Sequence, residues 1–197
     1  MKLLIALKIV KSQEEGWSKW LEDSELKEFS ETWLKDDTLD SWRHQRMLGP
    51  IRALIDKETT WLTVGDGRFG TEANYIIKNG AQAHASDIGD ELLKKGSEIG
   101  FINSYSAQNA EKLTFEDSSF DYVLIKEAVH HFERPWLALY EAFRVCRKGV
   151  ILIEPNDNNP MKGGNRKRFV NFLKYTAKYL LGKNPNLDSY SFEKVGN

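Results

Sequence analysis

The spacing of apolar residues changes near residue 60. Before this point, apolar side chains recur at helical spacing among charged ones, and after it short apolar runs alternate with helical stretches. Such alternation is typical of βαβ units and a parallel sheet. The pattern therefore predicts a helical layer over residues 1–58 followed by an α/β core over residues 59–155.

The α/β core contains five predicted strands. They cover residues 60–64, 82–87, a weak stretch near 101–106, 120–125 and 149–154. Helices are predicted from the first strand to about residue 79, over 91–98 and over 136–145, where apolar residues recur every three or four positions. This order predicts a doubly wound, mainly parallel, Rossmann-like sheet with helices on both faces.

The N-terminal layer is acidic. Between residues 11 and 40, ten acidic side chains stand against four lysines, which is typical of a solvated helix face. The opening residues 1–10 have the apolar character of a signal peptide, but Lys8 interrupts the run and no small-x-small cleavage site follows. We interpret them as a strand or helix of the fold.

Composition excludes several classes of function. The 28 basic and 29 acidic residues give a net charge of −1, which supplies no overall attraction for nucleic acid or anionic lipid. Cys146 is the one cysteine, so no internal disulfide can form, and no Cys/His cluster has zinc-ligand spacing. We expect a cytoplasmic protein with no metal and no nucleic-acid partner, in which Cys146 packs as a small buried hydrophobe.

A basic segment follows the fifth strand. Residues 162–183 hold seven Lys and Arg side chains and no acidic one, and apolar residues fall at helical spacing over 166–181. The region 156–197 is therefore predicted to contain a basic amphipathic helix. Three roles are open for this helix. It could be a lid over an acceptor site, a helix with weak affinity for a membrane surface or an anionic acceptor, or an ordinary helix packed on the domain.

Polar residues gather where the predicted strands end. In parallel sheets, ligands bind beyond the carboxyl ends of the strands, where the strand order reverses. Residues 65–70 follow the first strand, Asp87 and Ile88 the second, Lys126, Glu127, His130 and His131 the fourth, and Glu154 closes the fifth. One crevice can collect all of them.

The turn over residues 65–70 matches G-x-G-x-x-G between a strand and a helix. Its glycines permit a tight turn and let a ligand approach backbone N–H groups at the helix N-terminus, although such turns also occur without a ligand. Asp87 ends the next strand, where a carboxylate accepts both ribose hydroxyls or caps the following helix. These features alone admit either a nicotinamide dinucleotide or an adenosyl amino acid.

Four motifs in order narrow the choice. Residues 64–67 read Val-Gly-Asp-Gly, 109–115 read Asn-Ala-Glu-Lys-Leu-Thr-Phe, 119–123 read Ser-Phe-Asp-Tyr-Val and 130–132 read His-His-Phe. With them, residues 60–155 resemble the class I S-adenosylmethionine-dependent methyltransferases of the type 11 branch, which read D-x-G-x-G, D-A-x-x-L-P-F, S-F-D-x-V and H-H-F. Thr63 stands where that family has an acidic residue, and Asn109 replaces the commoner Asp.

The resemblance implies S-adenosyl-L-methionine as the cofactor. Gly65 and Gly67 would let its methionine part pass close to the main chain, Asp87 would hold the ribose, and Asn109 with Ala110 would contact the adenine. Asp66, Ile88 and Lys126 complete the predicted cofactor set. Phe69 stands at a position that is often small, which predicts a less open loop.

The resemblance also implies seven strands, the last two forming an antiparallel addition. Only 43 residues follow Glu154, and about half of them are predicted to be helical. Either the final strands are missing, or residues 187–195 supply a fragment and the sheet stays open. An open edge exposes unpaired backbone groups and favours association.

The catalytic candidates are Glu127, His130 and His131. A histidine suits proton removal near neutrality, but it equally suits a packed helix start. On a helix the two rings point about 100° apart, so at most one faces the crevice, and His130 is nearer the strand end. Glu127 and Glu154 are alternatively ligands for the substrate or the cofactor amino group. Asp121 begins its strand at the opposite edge of the sheet, so we expect a structural role for it.

These features predict an enzyme that transfers a methyl group from S-adenosylmethionine to a small molecule, with a sugar or glycan hydroxyl as the hypothesis for the acceptor. An NAD-dependent oxidoreductase stays open, because the glycine turn and Asp87 also fit that cofactor. A catalytically silent adenosyl-binding or partner-binding module stays open as well. The sequence gives no oligomeric state.

Overall fold

A computed structural model describes residue 22 and residues 24–154. The predictions for residues 1–10, for the basic helix 166–181 and for residues 187–195 lie outside the described residues. The helices are α1 (Ser24–Glu31), α2 (Leu39–Leu48), α3 (Thr71–Lys78), α4 (Glu91–Glu98) and α5 (Pro135–Val145). The strands are β1 (Thr60–Val64), β2 (Gln82–Asp87), β3 (Tyr105–Ala107), β4 (Phe120–Lys126) and β5 (Cys146–Ile153). Short 3-10 segments cover Thr32–Leu34, Gly49–Leu54 and Val129–His131.

The five strands form one parallel sheet in the order β3-β2-β1-β4-β5. The chain builds outward from β1 to β3 and then crosses to β4 on the other side of β1, so the strand order reverses between β1 and β4. The predicted doubly wound α/β fold is confirmed. All carboxyl ends of the strands lie at one edge, and Val64 pairs there with Ser86 of β2 and Ile125 of β4.

Two strand boundaries differ from the prediction. The third strand is shorter than expected, because the main-chain N–H groups of Phe101 and Ile102 donate to Gly96 and close the end of α4 instead. The fifth strand begins earlier, at Cys146, because this residue already pairs with Phe120 across a register shift in β4. Cys146 packs against the core beneath α5, as expected of a small hydrophobe, but it is only partly buried, and this burial raises its pKa.

Alternate side chains of the strands pack on opposite faces of the sheet. Trp61 and Leu124 belong to a core that α3 and α4 cover, and this core continues into Leu48 and Ile51. Leu62 and Val123 belong to a second core that α5 covers. Since both faces are covered, the middle of β4 is apolar on both sides, and the charged Lys126 and Glu127 follow at its carboxyl end.

The described part of the N-terminal layer is helical, as its spacing predicts. Thr38 caps α2 by accepting a hydrogen bond from the Ser41 N–H. The layer is more than a solvated face, because Trp33 and Leu48 are buried against the core, whereas Trp42 stays exposed. No helix in the described residues is long and apolar enough to cross a membrane.

Candidate active site

The glycine turn joins the ends of β1, β2 and β4. Gly65 has a φ of 79°, and a Cβ built on it would lie 2.5 Å from the Cβ of Ala128, so both conformation and space require glycine. The N–H groups of Gly65 and Asp66 both donate to the carbonyl of Ser86. These two N–H groups therefore hold the turn onto β2, and a ligand must use other atoms of the turn.

The Asp66 side chain joins the glycine turn to the N-terminus of α3. Its carboxylate accepts hydrogen bonds from the N–H groups of Glu72 and Ala73 and from the Thr63 hydroxyl, at 2.8–3.1 Å. Burial, together with the neighbouring Glu72 carboxylate, raises the pKa of Asp66 well above its usual range. The side chain serves the N-terminus of α3, and the main-chain N–H and carbonyl of Asp66 are bonded to Ser86 and Gly70, so the structure gives Asp66 a role in holding the turn.

Phe69 anchors the same turn to the N-terminal layer. It has a φ of 60°, unusual for a residue with a side chain, and its buried ring meets Trp33 edge-on at 6.3 Å. Arg68 lies over the Trp33 ring at 4.7 Å. A Cβ built on Gly96 of α4 would clash with the Phe69 carbonyl, so glycine is required there. The large residue at position 69 is therefore packed between α4 and the N-terminal layer.

Asp87 lies at the carboxyl end of β2 and is 8% exposed. Its Oδ1 accepts a hydrogen bond from the Gly89 N–H at 3.3 Å. The N-cap of α4 is Asp90 rather than Asp87, so the structure does not give Asp87 the alternative role of helix cap. Ile88 follows it and is half-buried.

The segment with Asn109 and Ala110 is held beside the end of β2. The Gln108 N–H donates to the Asp87 carbonyl at 2.7 Å, which places the next residues along that edge. Ala110 is buried, and Asn109 is exposed, with its Oδ1 accepting from the Glu111 N–H at 2.9 Å. The structure thus brings this motif and Asp87 together, as the predicted nucleoside site requires.

Lys126 and Glu127 belong to a network of ion pairs. Lys126 Nζ lies 2.9 Å from Glu72 Oε1 and 3.1 Å from Glu127 Oε2, and Arg43 of α2 reaches the same Glu127 oxygen at 3.6 Å. Burial alone would lower the pKa of Lys126, but the two neighbouring carboxylates outweigh burial and raise that pKa. Burial likewise acts to raise the pKa of Glu127, but the Lys126 ammonium outweighs it and lowers that pKa.

The network bears on two predicted roles, which stay predictions. The Glu127 carboxylate is paired with Lys126 and Arg43, and its lowered pKa makes it a weaker base. The Lys126 ammonium is paired with Glu72 and Glu127. Burial acts to raise the pKa of Glu72 as well, yet Lys126 holds it well below its usual range.

Arg43 and His44 belong to the same network, although no motif in the sequence points to them. The Nε2 atom of His44 lies 3.3 Å from guanidinium nitrogens of both Arg43 and Arg68, and its Nδ1 lies 3.6 Å from Glu72 Oε1. Because arginine can only donate, Nε2 is the acceptor and Nδ1 carries the proton. The side chains of α2 therefore connect the N-terminal layer to the end of β4, through contacts between residues distant in sequence.

His130 and Glu154 form a close pair at the ends of β4 and β5. Glu154 Oε2 lies 2.6 Å from His130 Nδ1, while its Oε1 accepts hydrogen bonds from the N–H groups of Ala128 and Val129 at 3.1 and 2.9 Å. The rings of His130 and His131 lie 4.0 Å apart within a 3-10 turn. The two rings therefore lie together, contrary to the expectation that they diverge.

Asp121 lies at the opposite edge of the sheet and has the structural role expected. It accepts from the Thr60 N–H at 3.0 Å and pairs with Arg147 and Lys148. Burial acts to raise its pKa, but these partners outweigh burial and hold the pKa of Asp121 well below its usual range. Within residues 24–154, no group of three or more Asp, Glu, His or Cys side chains is placed to bind a metal ion.

A comparison with protein families matches this part of the chain. Residues 62–153 fit the family described as "Methyltransferase domain". This part of the chain is therefore similar to the class I methyltransferases that its motifs resemble. The family is one that uses S-adenosylmethionine.

Curated relatives of the methyltransferase domain include two bacterial proteins named "Ubiquinone/menaquinone biosynthesis C-methyltransferase UbiE". The protein from Rhizobium etli is 34% identical over 100 residues, which cover 47% of this chain and 39% of that protein. The protein from Pasteurella multocida is 28% identical over 138 residues, 66% of this chain and 51% of that one. The chain thus spans about half the length of these relatives or less.

Solved structures share the fold of the methyltransferase domain. The PH0226 protein from Pyrococcus horikoshii aligns with a TM-score of 0.54 at 20% identity, over 68% of this chain and 63% of that one. The YcgJ protein from Bacillus subtilis aligns with a TM-score of 0.50 at 26% identity, over 67% of this chain and 58% of that one.

Proposed function

We propose that the protein transfers a methyl group from S-adenosylmethionine to a small-molecule acceptor. The observation that carries the proposal is the match of residues 62–153 to the methyltransferase domain, together with the position of Asp87 beside the Asn109 segment at the edge where the strand order reverses. Open α/β sheets bind their ligands at this edge.

The residues present suit an adenosyl amino acid. Asp87 is a nearly buried carboxylate at the end of β2, where it can accept hydrogen bonds from ribose hydroxyls. Gly65 lets the turn pack closely against Ala128 at the edge where the strand order reverses. Asn109 is exposed and Ala110 is small, which leaves room and a polar amide for a base along the same edge.

The chain's own residues have modest chemical tasks in such a reaction. When bound, S-adenosylmethionine supplies a methyl group already activated by a positively charged sulfur. The protein must then align the acceptor with that group and exclude water. An acceptor that carries a proton also needs a base, and His130 is the candidate that the geometry favours over Glu127.

Two classes of acceptor merit comparison. A sugar or glycan hydroxyl needs a base to accept its proton, and the His130 pair could do this. The relatives are named as C-methyltransferases of ubiquinone and menaquinone biosynthesis, which favours a carbon atom of a quinone precursor. We therefore propose two candidate acceptors, a simple glycoside and a quinone precursor, to be assayed side by side.

A ligand titration tests the cofactor. S-adenosylhomocysteine and NAD are added separately to the full chain while thermal unfolding is followed. A ligand at 100 times its dissociation constant stabilises the folded state by about 2.7 kcal/mol, so we expect a clear rise in Tm with S-adenosylhomocysteine. Stabilisation by NAD alone would instead support the oxidoreductase, and methylation of neither acceptor class despite tight binding would support the catalytically silent module.

A further inference from the structure

Glu154 holds both of its carboxylate oxygens in fixed contacts at the end of β5. Oε1 accepts two main-chain hydrogen bonds, from Ala128 and Val129, and Oε2 meets His130 Nδ1 at 2.6 Å. The turn that presents these N–H groups depends on Glu127, whose φ of 51° bends the chain directly after β4. The Glu127 N–H in turn donates to the Ile153 carbonyl at 2.7 Å, which joins the two strand ends.

These contacts fix the tautomer of His130. An ionised carboxylate can only accept, so the proton of a neutral His130 ring lies on Nδ1. The lone pair then lies on Nε2, the nitrogen that can take a proton from another molecule. About half of the His130 side chain is exposed, so a small molecule can reach it.

We propose that Glu154 is a positioning residue that holds His130 in the Nδ1–H tautomer and so makes Nε2 the proton acceptor in methyl transfer. This inference rests on the proposed function. In the step, the acceptor atom forms a bond to the methyl carbon, the carbon–sulfur bond breaks with its electron pair passing to sulfur, and the acceptor's proton passes to His130 Nε2. The imidazolium that results is stabilised by the Glu154 carboxylate.

The groups around His130 support the assignment. His131 lies against the ring from the same 3-10 turn, at 4.0 Å between ring centroids, and Glu154 approaches from β5. Glu127 precedes the turn, but its carboxylate is paired with Lys126 and Arg43. Glu154 is therefore the carboxylate that the structure assigns to His130.

The decisive variant is Glu154→Gln. Its amide oxygen can still accept from the two main-chain N–H groups. The opposite amide orientation is disfavoured, because it would place the amide NH₂ group, a donor, against these two N–H donors. The NH₂ group then faces His130 Nδ1, which must become an acceptor, so the proton moves to Nε2. The turn is preserved, but Nε2 no longer has the lone pair that accepts a proton.

The tautomer can be read without knowing the acceptor. The chain has four histidines, and side-chain ¹H–¹⁵N NMR spectra of the neutral rings distinguish Nδ1–H from Nε2–H, with His130 assigned by its disappearance in His130→Gln. We expect Nδ1–H in the wild type and Nε2–H in Glu154→Gln. Glu141→Gln is the matched control, because Glu141 also accepts a main-chain N–H, from Leu113, and pairs with Arg144 rather than a histidine.

Turnover completes the test, on whichever of the two acceptor classes the wild type methylates. Glu154→Gln should lower kcat by about 10²-fold or more while the affinity for S-adenosylhomocysteine stays unchanged. The double variant with His130→Ala should be no slower than His130→Ala alone, because both remove the same function.

Three outcomes would overturn the inference: Nε2–H on His130 in the wild type, an unchanged tautomer in Glu154→Gln, or additive losses in the double variant. A wild type that does not bind S-adenosylhomocysteine would overturn the proposed function instead, while the tautomer still reports on the pairing of Glu154 with His130. The two failures are therefore distinguishable.

Discussion

Asp87 is the side chain that we propose to bind the ribose of the cofactor. A charged hydrogen bond contributes about 1.5–3 kcal/mol, so Asp87→Ala should weaken S-adenosylhomocysteine binding by roughly tenfold or more in a calorimetric titration. Asp90→Ala is the matched control, because Asp90 lies three residues later at the start of α4 and makes no side-chain capping bond. Equal affinity of the two variants would remove Asp87 from the cofactor site.

Lys126 shows how a charged residue at a strand end can serve the fold. Its side chain is 4% exposed and lies beside Glu72, which is equally enclosed. Removing one partner of a buried pair leaves the other charge uncompensated, so Lys126→Met should lower the free energy of unfolding by about 3–5 kcal/mol in urea.

A second substitution distinguishes this explanation from a simple loss of packing. Adding Glu72→Leu to Lys126→Met removes the stranded carboxylate, so the double variant should be more stable than Lys126→Met alone. A double variant that is less stable than either single variant would show that the charges are not what couples these two residues.

At the scale of elements, the 3-10 segment Thr32–Leu34 supports the glycine turn through Trp33. This ring is 8% exposed and contacts Phe69 and Arg68, both within the turn. Trp33→Ala should lower the free energy of unfolding by about 3 kcal/mol. It should also weaken S-adenosylhomocysteine binding, because the glycine turn loses the ring that packs against Phe69 and Arg68. Trp42→Ala is the control, since Trp42 of α2 is 56% exposed, and a loss of affinity as large as that of Trp33→Ala would contradict the proposed support.

The elements themselves were predictable where the local pattern is strong. β1 and β2 begin and end where the short apolar runs and the following turns predict, and α4 matches its predicted bounds. β3 and β5 were less predictable because their limits depend on long-range contacts, such as the closure of α4 by Phe101 and the pairing of Cys146 with Phe120. No local signal reports such partners.

The candidate site was predictable to a similar degree. The glycine turn, Asp87 and the Asn109 segment carry recognisable motifs, and the structure places them along one edge. The ion pairs of Lys126 and Glu127 could not be foreseen, since they join the end of β4 to Glu72 of α3 and to Arg43 of α2, which are distant in sequence. A charged residue after a strand is therefore compatible with either catalysis or internal pairing until its partners are known.

At the scale of the whole molecule, burial of a histidine links stability to pH. His84 of β2 lies between the hydroxyls of Ser104 and Ser106, and burial lowers its pKa in the folded protein. The unfolded chain therefore binds this proton more readily, so stability is full above about pH 6.5 and falls as the pH drops below it.

His84→Gln should flatten this dependence. Urea titrations from pH 8 to pH 5 should show a smaller loss of stability in the variant than in the wild type, while any difference at pH 8 reports altered packing alone. Parallel pH profiles for the two proteins would assign the loss to other groups.

The ends of neighbouring strands are joined by bonds between main-chain atoms: Gly65 and Asp66 to Ser86, Gln108 to Asp87, and Glu127 to Ile153. Amino-acid substitutions change side chains and leave such main-chain bonds in place. The strand ends can therefore keep their arrangement while the side chains that line the crevice change. These amide protons should accordingly exchange slowly with deuterated solvent even without a ligand. Over evolutionary time, a sheet edge of this kind can acquire new specificities by substitution of the crevice side chains, with little change in the backbone that carries them.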